Sequence, residues 1–190
     1  MRPRILYLFI ALVLFGTGAF ALDVPPPPTH WFTDQAGIVD SASAAALDQK
    51  LASFEQQSGA QFLIYTFRSL EGESVEDFTL RCVERWKVGN KKYDNGIVLF
   101  VFVQEKKARV EVGYGLEGTI TDAYSSRVIR EQLAPHFQQG DYAGGLNAAA
   151  DAIITRITKG EAPVEPVQRT GSRAAGRRPG GIDIGMVIFI

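Results

Sequence analysis

Apolar positions along this chain switch between two spacings. Ile97-Val98-Leu99-Phe100-Val101-Phe102-Val103 is apolar at every position, the pattern of a strand covered on both faces. Ala60 to Phe67 reads as a second strand, and Trp31-Phe32-Thr33 as a short one. Arg109-Val110-Glu111-Val112 alternates polar and apolar residues, as an edge or half-exposed strand does. Between these runs the spacing becomes helical. Leu47, Leu51 and Phe54 follow a cap at Asp40 or Ser41 and end at Ser58-Gly59, where glycine suits a left-handed stop. Phe78, Cys82 and Trp86 follow the capping-box pattern Ser74-x-x-Asp77, with an end expected near Gly89-Asn90. Ile129 and Leu133 lie behind a possible cap at Asp122, and Pro135 should end or bend that helix. Leu146, Ala150, Ile153 and Ile157 form the stripe of a last helix closed by Gly160.

The order of these elements restricts the topology. A strand, a helix and a strand predict a parallel pair joined by a right-handed crossover. Gln104 to Lys107 is too short for a crossover, so the last two strands form a hairpin and the sheet is mixed. The expectation is an α/β protein: a three-layer α/β/α sandwich with a mixed sheet of about four strands and helices on both faces.

The flanks have a different character. Residues 1–21 have the layout of a secretory signal: Arg2 and Arg4, an apolar run from Ile5 to Phe15, and a small-x-small site at Ala19-Phe20-Ala21. Cleavage after Ala21 makes Leu22 the mature start. Residues 22–29, with Pro25 to Pro28, read as a semi-rigid spacer ahead of a domain spanning 30–160. Residues 161–181, rich in Pro, Gly and Arg, read as a disordered linker. Residues 182–190 are apolar apart from Asp183 and look like the start of a transmembrane segment. Arg173, Arg177 and Arg178 precede it on the exported side, against the positive-inside tendency.

Composition narrows the function. A formal net charge of -1 gives no reason to expect nucleic acid as a partner. Cys82, the one cysteine of the chain, excludes an internal disulfide and sits in an apolar helical pattern without a visible base. His30 and His136 stand in unrelated contexts, which disfavours zinc, and no Gly-x-Ser-x-Gly elbow occurs. Gly113-x-Gly115-x-x-Gly118 matches the dinucleotide fingerprint in letters, but it follows the last strand and carries Glu117 inside the loop, so no nucleotide is expected.

A carboxylate constellation remains. Asp94 and Asn95 precede the central strand, and Glu117 and Asp122 follow the hairpin's second strand. The hairpin brings both loops to one end of the sheet, and Asp34 is a candidate to join them. Carboxylate, amide and carbonyl oxygens suit Ca²⁺ or Mg²⁺. Each residue also has an ordinary role open to it: Asp94-Asn95-Gly96 as a turn, Asp122 as a helix cap, Glu117 as a solvated charge.

Five ordered motifs resemble one family. They are Asp34-Gln35-Ala36-Gly37-Ile38, Asp94-Asn95-Gly96-Ile97-Val98-Leu99, Arg109-Val110-Glu111-Val112-Gly113-Tyr114-Gly115-Leu116-Glu117-Gly118, Thr121-Asp122, and Phe137-x-x-Gly140-Asp141-Tyr142-x-x-Gly145. Together they resemble the TPM domain family, in its YgcG-like branch, over about residues 30–160. The resemblance implies a Rossmann-like α/β/α sandwich and an exported domain on the periplasmic or extracytoplasmic face of the inner membrane, and the flanking segments fit its membrane-anchored members. An envelope or membrane protein is the partner expected of the leading function below. Some plant members are described as thylakoid acid phosphatases, and some bacterial members bind Ca²⁺. By resemblance the metal ligands would be Asp34, Asp94, Asn95, Glu117 and Asp122. Three functions follow as expectations: a tethered divalent-cation-binding accessory module, a weak metal-dependent phosphomonoesterase using Lys91 or Lys92 as phosphate anchor, or a structural envelope domain without ligand.

Overall fold

A computed structural model of the chain describes residues 22–160 and 187–188. The sheet holds β1 (Phe32–Asp34), β2 (Gln61–Phe67), β3 (Gly96–Phe102), β4 (Lys107–Val112) and the two-residue β5 (Val187–Ile188), in that spatial order. β1, β2 and β3 run parallel, while β4 and β5 are antiparallel to their neighbours. The helices are α1 (Ser41–Ser58), α2 (Val75–Trp86), α3 (Asp122–Val128), α4 (Ala134–Gln138) and α5 (Tyr142–Lys159). The mixed sheet with helices on both faces is the one the apolar pattern describes.

Alternation along β2 and β3 assigns each helix to a face. Phe62, Ile64, Ile97, Leu99 and Val101 point into one core with Leu47, Leu51 and Phe54 of α1, Val128 of α3, and Leu146 and Ile153 of α5. Leu63, Tyr65, Phe67, Val98, Phe100 and Phe102 point into the other, against Phe78, Cys82 and Trp86 of α2. This second core is an aromatic stack, with Phe67 and Phe102 rings 5.3 Å apart and the Phe78 edge 5.1 Å from Phe67. Every residue of β3 is buried, as its unbroken apolar run requires.

The crossovers carry a topological consequence. From β1 to β2 to β3 the chain steps in one direction, yet α1 and α2 lie on opposite faces. Two such connections have opposite hands, so only one of them obeys the right-handed preference.

Local boundaries differ from expectation in three places. α2 stops at Trp86, because Lys87 takes the left-handed conformation (φ 52°) and closes the helix before Gly89. Thr121 caps α3, its hydroxyl accepting from the Tyr124 N–H, and Asp122 occupies the first turn instead. Pro135 does not end the helical run: a π-helical segment, Ile129–Leu133, passes directly into α4, which has proline in its first turn. The proline-rich stretch is also not a plain spacer. Leu22 and Val24 pack on the aromatic core, and the Trp86 indole N–H donates to the Pro25 carbonyl at 2.9 Å.

The expected signal (1–21) and linker (161–181) lie outside the described residues. Among the described residues no helix is long and apolar enough to cross a membrane. Val187 and Ile188, inside the expected start of such a segment, pair with Ala108 and Lys107 of β4.

Phe78→Ala is expected to cost about 3–5 kcal/mol in urea unfolding, the usual cost of emptying a buried phenyl site. Leu80→Ala, on the same helix but half exposed, should stay within about 0.5 kcal/mol.

Candidate site at the open end of the hairpin

The loop before β3 and the loop after β4 are tied together by backbone. Gly96 accepts from the Gly113 N–H at 2.8 Å, and the Asp94 carbonyl accepts from the Gly115 N–H at 2.9 Å. Asp94 is left-handed (φ 46°), a conformation that aspartate tolerates better than most residues. Its Oδ2 accepts from the Tyr114 N–H at 3.1 Å. A Cβ at Gly113 would stand 2.3 Å from the Asp94 carbonyl oxygen, and one at Gly115 1.9 Å from that of Tyr93. The Gly-x-Gly spacing therefore serves loop-to-loop contact. Asn95 is spent structurally as well: its Oδ1 accepts from the Asn90 N–H, and its Nδ2 donates to the Gly59 carbonyl at the end of α1.

Beside this clasp is a concavity of about 310 Å³, lined by Val110, Glu111, Val112, Glu117, Ile120, Thr121 and Asp122. Glu117 and Asp122 are exposed and meet here, as the hairpin topology implies. Glu111 joins them although the sequence did not single it out. Its Oε1 accepts from Arg109 Nε at 2.5 Å and Thr79 Oγ1 at 2.6 Å, so one carboxylate oxygen is tied inward. The available signal was its position next to Val112 at the mouth of the hairpin. No Lys or Arg is among the described residues lining the concavity.

Three expected members stand apart. Asp94 and Asn95 are adjacent through the clasp, but neither lines the concavity. Asp34 is at the other end of the sheet. It pairs with Thr66, which pairs with Val101, five residues along β3 from Gly96, or roughly 17 Å at strand rise. The expectation that Asp34 joins the cluster is therefore corrected. Parallel strands place the exit of β1 opposite the entry of β3. Asp34 instead builds its own turn, accepting from the N–H groups of Gly37 and Val39, each at 2.9 Å, and from the Thr66 hydroxyl. Among the described residues, no three His, Cys, Asp or Glu side chains gather closely enough to enclose a metal ion.

Other reactive groups are accounted for elsewhere. Burial pushes the Cys82 thiol up to about 12. His136 Nδ1 is 2.7 Å from Asp141 Oδ2, and that hydrogen bond, with the Gly144 N–H, holds the Asp141 carboxyl below its ordinary value. Asp141 is the N-cap of α5. A Cβ at Gly145 would come within 2.8 Å of the Phe137 ring, so the Phe137-to-Gly145 motif is a packing device. Lys92 lies over the Tyr93 ring, 5.2 Å from its centroid.

Residues 32–156 match the sequence profile of the TPM domain. Among solved structures, the N-terminal domain of a protein from P. gingivalis is 32% identical, with a TM-score of 0.66, covering 73% of this chain and 95% of that one. The N-terminal domain of the cg2496 protein from Corynebacterium glutamicum shares the fold at 14% identity and a TM-score of 0.54, covering 81% and 98% of the two chains. The BA42 protein from Bizionia argentinensis does so at 17% identity and 0.56, covering 64% and 82%. No curated protein matches the chain.

Gly113→Ala is expected to destabilise by roughly 1–3 kcal/mol in chemical denaturation, because it drives the Asp94 loop away. Gly118→Ala, with nothing within 4 Å of its Cβ position, should change stability by less than about 0.5 kcal/mol. In the native protein Cys82 should resist alkylation at pH 8 and react only on unfolding, checked by mass spectrometry of iodoacetamide-treated samples.

Proposed function

Because the chain belongs to the TPM domain family, we propose that it is an exported envelope module, tethered to the membrane by its C-terminal apolar segment, which binds a hydrated divalent cation in the hairpin concavity and acts through a protein partner. The observation that carries the reading is the sign of that concavity: Glu111, Glu117 and Asp122 line it, with Thr121, and no Lys or Arg is among the described residues lining it, Arg109 meeting Glu111 from the protein interior. Hard oxygen donors of this kind suit Ca²⁺ or Mg²⁺. The carboxylates are spread around the cavity instead of gathered on one point, so most of the ion's ligands would be water. Affinity in the range of about 10⁻⁴ to 10⁻³ M, typical of extracellular Ca²⁺ modules, follows.

The family also raises a phosphomonoesterase reading, which the same geometry disfavours. A phosphate dianion entering a cavity of three carboxylates needs a cation to meet it. Arg109 is 1% exposed and ion-paired with Glu111, and Lys92 is directed to Tyr93. Export rests on the Ala19-Phe20-Ala21 signal pattern, and tethering on residues 182–190. Insertion of that segment into a bilayer would exchange the two-residue β5 pairing for lipid.

Calorimetric titration of the exported chain with CaCl₂ and MgCl₂ tests this. Saturable heat is expected, and it should be lost in Glu117→Gln and Asp122→Asn proteins whose melting temperatures without ion are unchanged. Absence of heat and of any melting shift at about 10 mM ion, ten times the weakest affinity expected, would remove cation binding and leave a domain whose loops are structural.

A further inference from the structure

The residues after the expected cleavage site are held on α2 by a repeated set of contacts. Arg81 Nη1 donates to the Leu22 carbonyl at 3.1 Å, Arg85 Nη1 to the Val24 carbonyl at 2.9 Å, and Trp86 Nε1 to the Pro25 carbonyl at 2.9 Å. Three donors on α2 thus read successive stretches of one extended strap. The fourth contact runs the other way: the Leu22 backbone nitrogen donates to Glu73 Oε2 at 2.8 Å. Glu73 gives its other oxygen, Oε1, to Arg81 and is 15% exposed. The Leu22 and Val24 side chains cover the aromatic core. Leu22 is therefore seated, nitrogen included, at a partly buried carboxylate.

We propose that cleavage after Ala21 creates a structural cation: the new α-ammonium of Leu22 forms an ion pair with Glu73 and locks the strap over the aromatic core. The proposal rests on the exported reading above. A signal peptidase hydrolyses the Ala21–Leu22 amide with one water. The Ala21 carbonyl carbon takes the hydroxide and leaves as a carboxylate, and the Leu22 nitrogen takes protons to become an ammonium. An amide N–H donor becomes a charged donor at the same atom, and charge-assisted hydrogen bonds are about twice as strong as neutral ones. The ammonium would face Glu73 and Arg81 from the α2 side, Arg85 one turn on, Asp23 on its own segment, and Arg68 and Glu71 across the adjoining cavity. Glu73 is the one of these carboxylates in contact with the Leu22 nitrogen.

The sign of the pH dependence follows. An amine that gains a carboxylate partner on folding has its folded-state value raised. Its stabilisation is fully present below the unfolded value, about 7.7–8.0 for a free amino terminus, and is lost as pH rises through the folded one. The experiment is N-terminal sequencing of the full chain recovered from the envelope, followed by competitive acylation of its α-amine across pH and melting across the same range. The expected result is a Leu22 start and an α-amine titrating above the free-terminus range. A melting temperature that falls by about 2–4 °C through that step should accompany it. Glu73→Gln, which keeps the shape and the hydrogen-bond acceptor, should return the amine to the ordinary range and abolish the step. Arg81→Lys should lower melting at every pH and keep the step, which separates packing from charge. A Leu22 start with an ordinary amine insensitive to Glu73→Gln would overturn the ion pair and leave the exported reading intact. A chain recovered uncleaved would overturn both.

Discussion

The double burial of β3 is the constraint on which the structure depends. A strand with Ile97, Leu99 and Val101 on one face and Val98, Phe100 and Phe102 on the other has no face to give to water. It must be paired on both edges and covered on both sides. β2 and β4 supply the pairing. Cover on one side is generous, with α1, α3, α4 and α5 in one core. On the other side it comes from the 12-residue α2 and the strap that begins at Leu22. A single helix does not span the sheet, so the strap completes the layer. Residues that look like a spacer in the sequence are recruited because the aromatic core would otherwise be open along one flank.

The same strand fixes the loops at its entry. Gly96 begins β3 with its Cα packed against the Val88 carbonyl, where a Cβ would sit at 2.3 Å. Gly113 and Gly115 then approach the Asp94 loop closely enough that hydrogen is the one substituent each Cα can carry there. Asp94 and Asn95 turn their polar atoms inward to hold this junction. Beyond this junction Glu117 and Asp122 are exposed and face the concavity. The division follows from geometry: residues at the junction are consumed by structure, and those one turn beyond are not.

Much of the fold was legible because its signals are local. Period-two and period-3.6 runs marked the four strands from Phe32 to Val112 and the long helices, though not the short helix at Ala134–Gln138, and the short Gln104–Lys107 connection fixed the hairpin. What was not legible depends on partners distant in sequence. Nothing near Lys87 announces a left-handed stop, since the surrounding contacts impose it. Nothing near Leu22 announces that Arg81, Arg85 and Trp86 will hold the Leu22, Val24 and Pro25 carbonyls from about 60 residues away. The candidate site was half legible for the same reason. Hairpin logic brings Glu117 and Asp122 to the end of the sheet that Asp94 occupies. Asp34 was misplaced because a residue leaving a parallel strand lies at the far end of the sheet from one entering its neighbour. Glu111 was missed because alternation placed its side chain on the α2 face, without revealing that Thr79 and Arg109 would hold it at the cavity rim.

Charge at the hairpin edge also bears on how the strand edge is protected. Beyond Ala108 the described part of β4 has no strand on its outer side, the situation that invites pairing with another chain. Glu111 sits on that stretch, and Glu117 and Asp122 stand over the same cavity. An extended peptide approaching this edge passes the exposed Glu117 and Asp122. A divalent cation in the concavity would neutralise part of that field and expose the edge to an acidic or neutral strand. On the proposed reading, cation binding and partner binding would share this one surface, the ion weakening the repulsion at the edge.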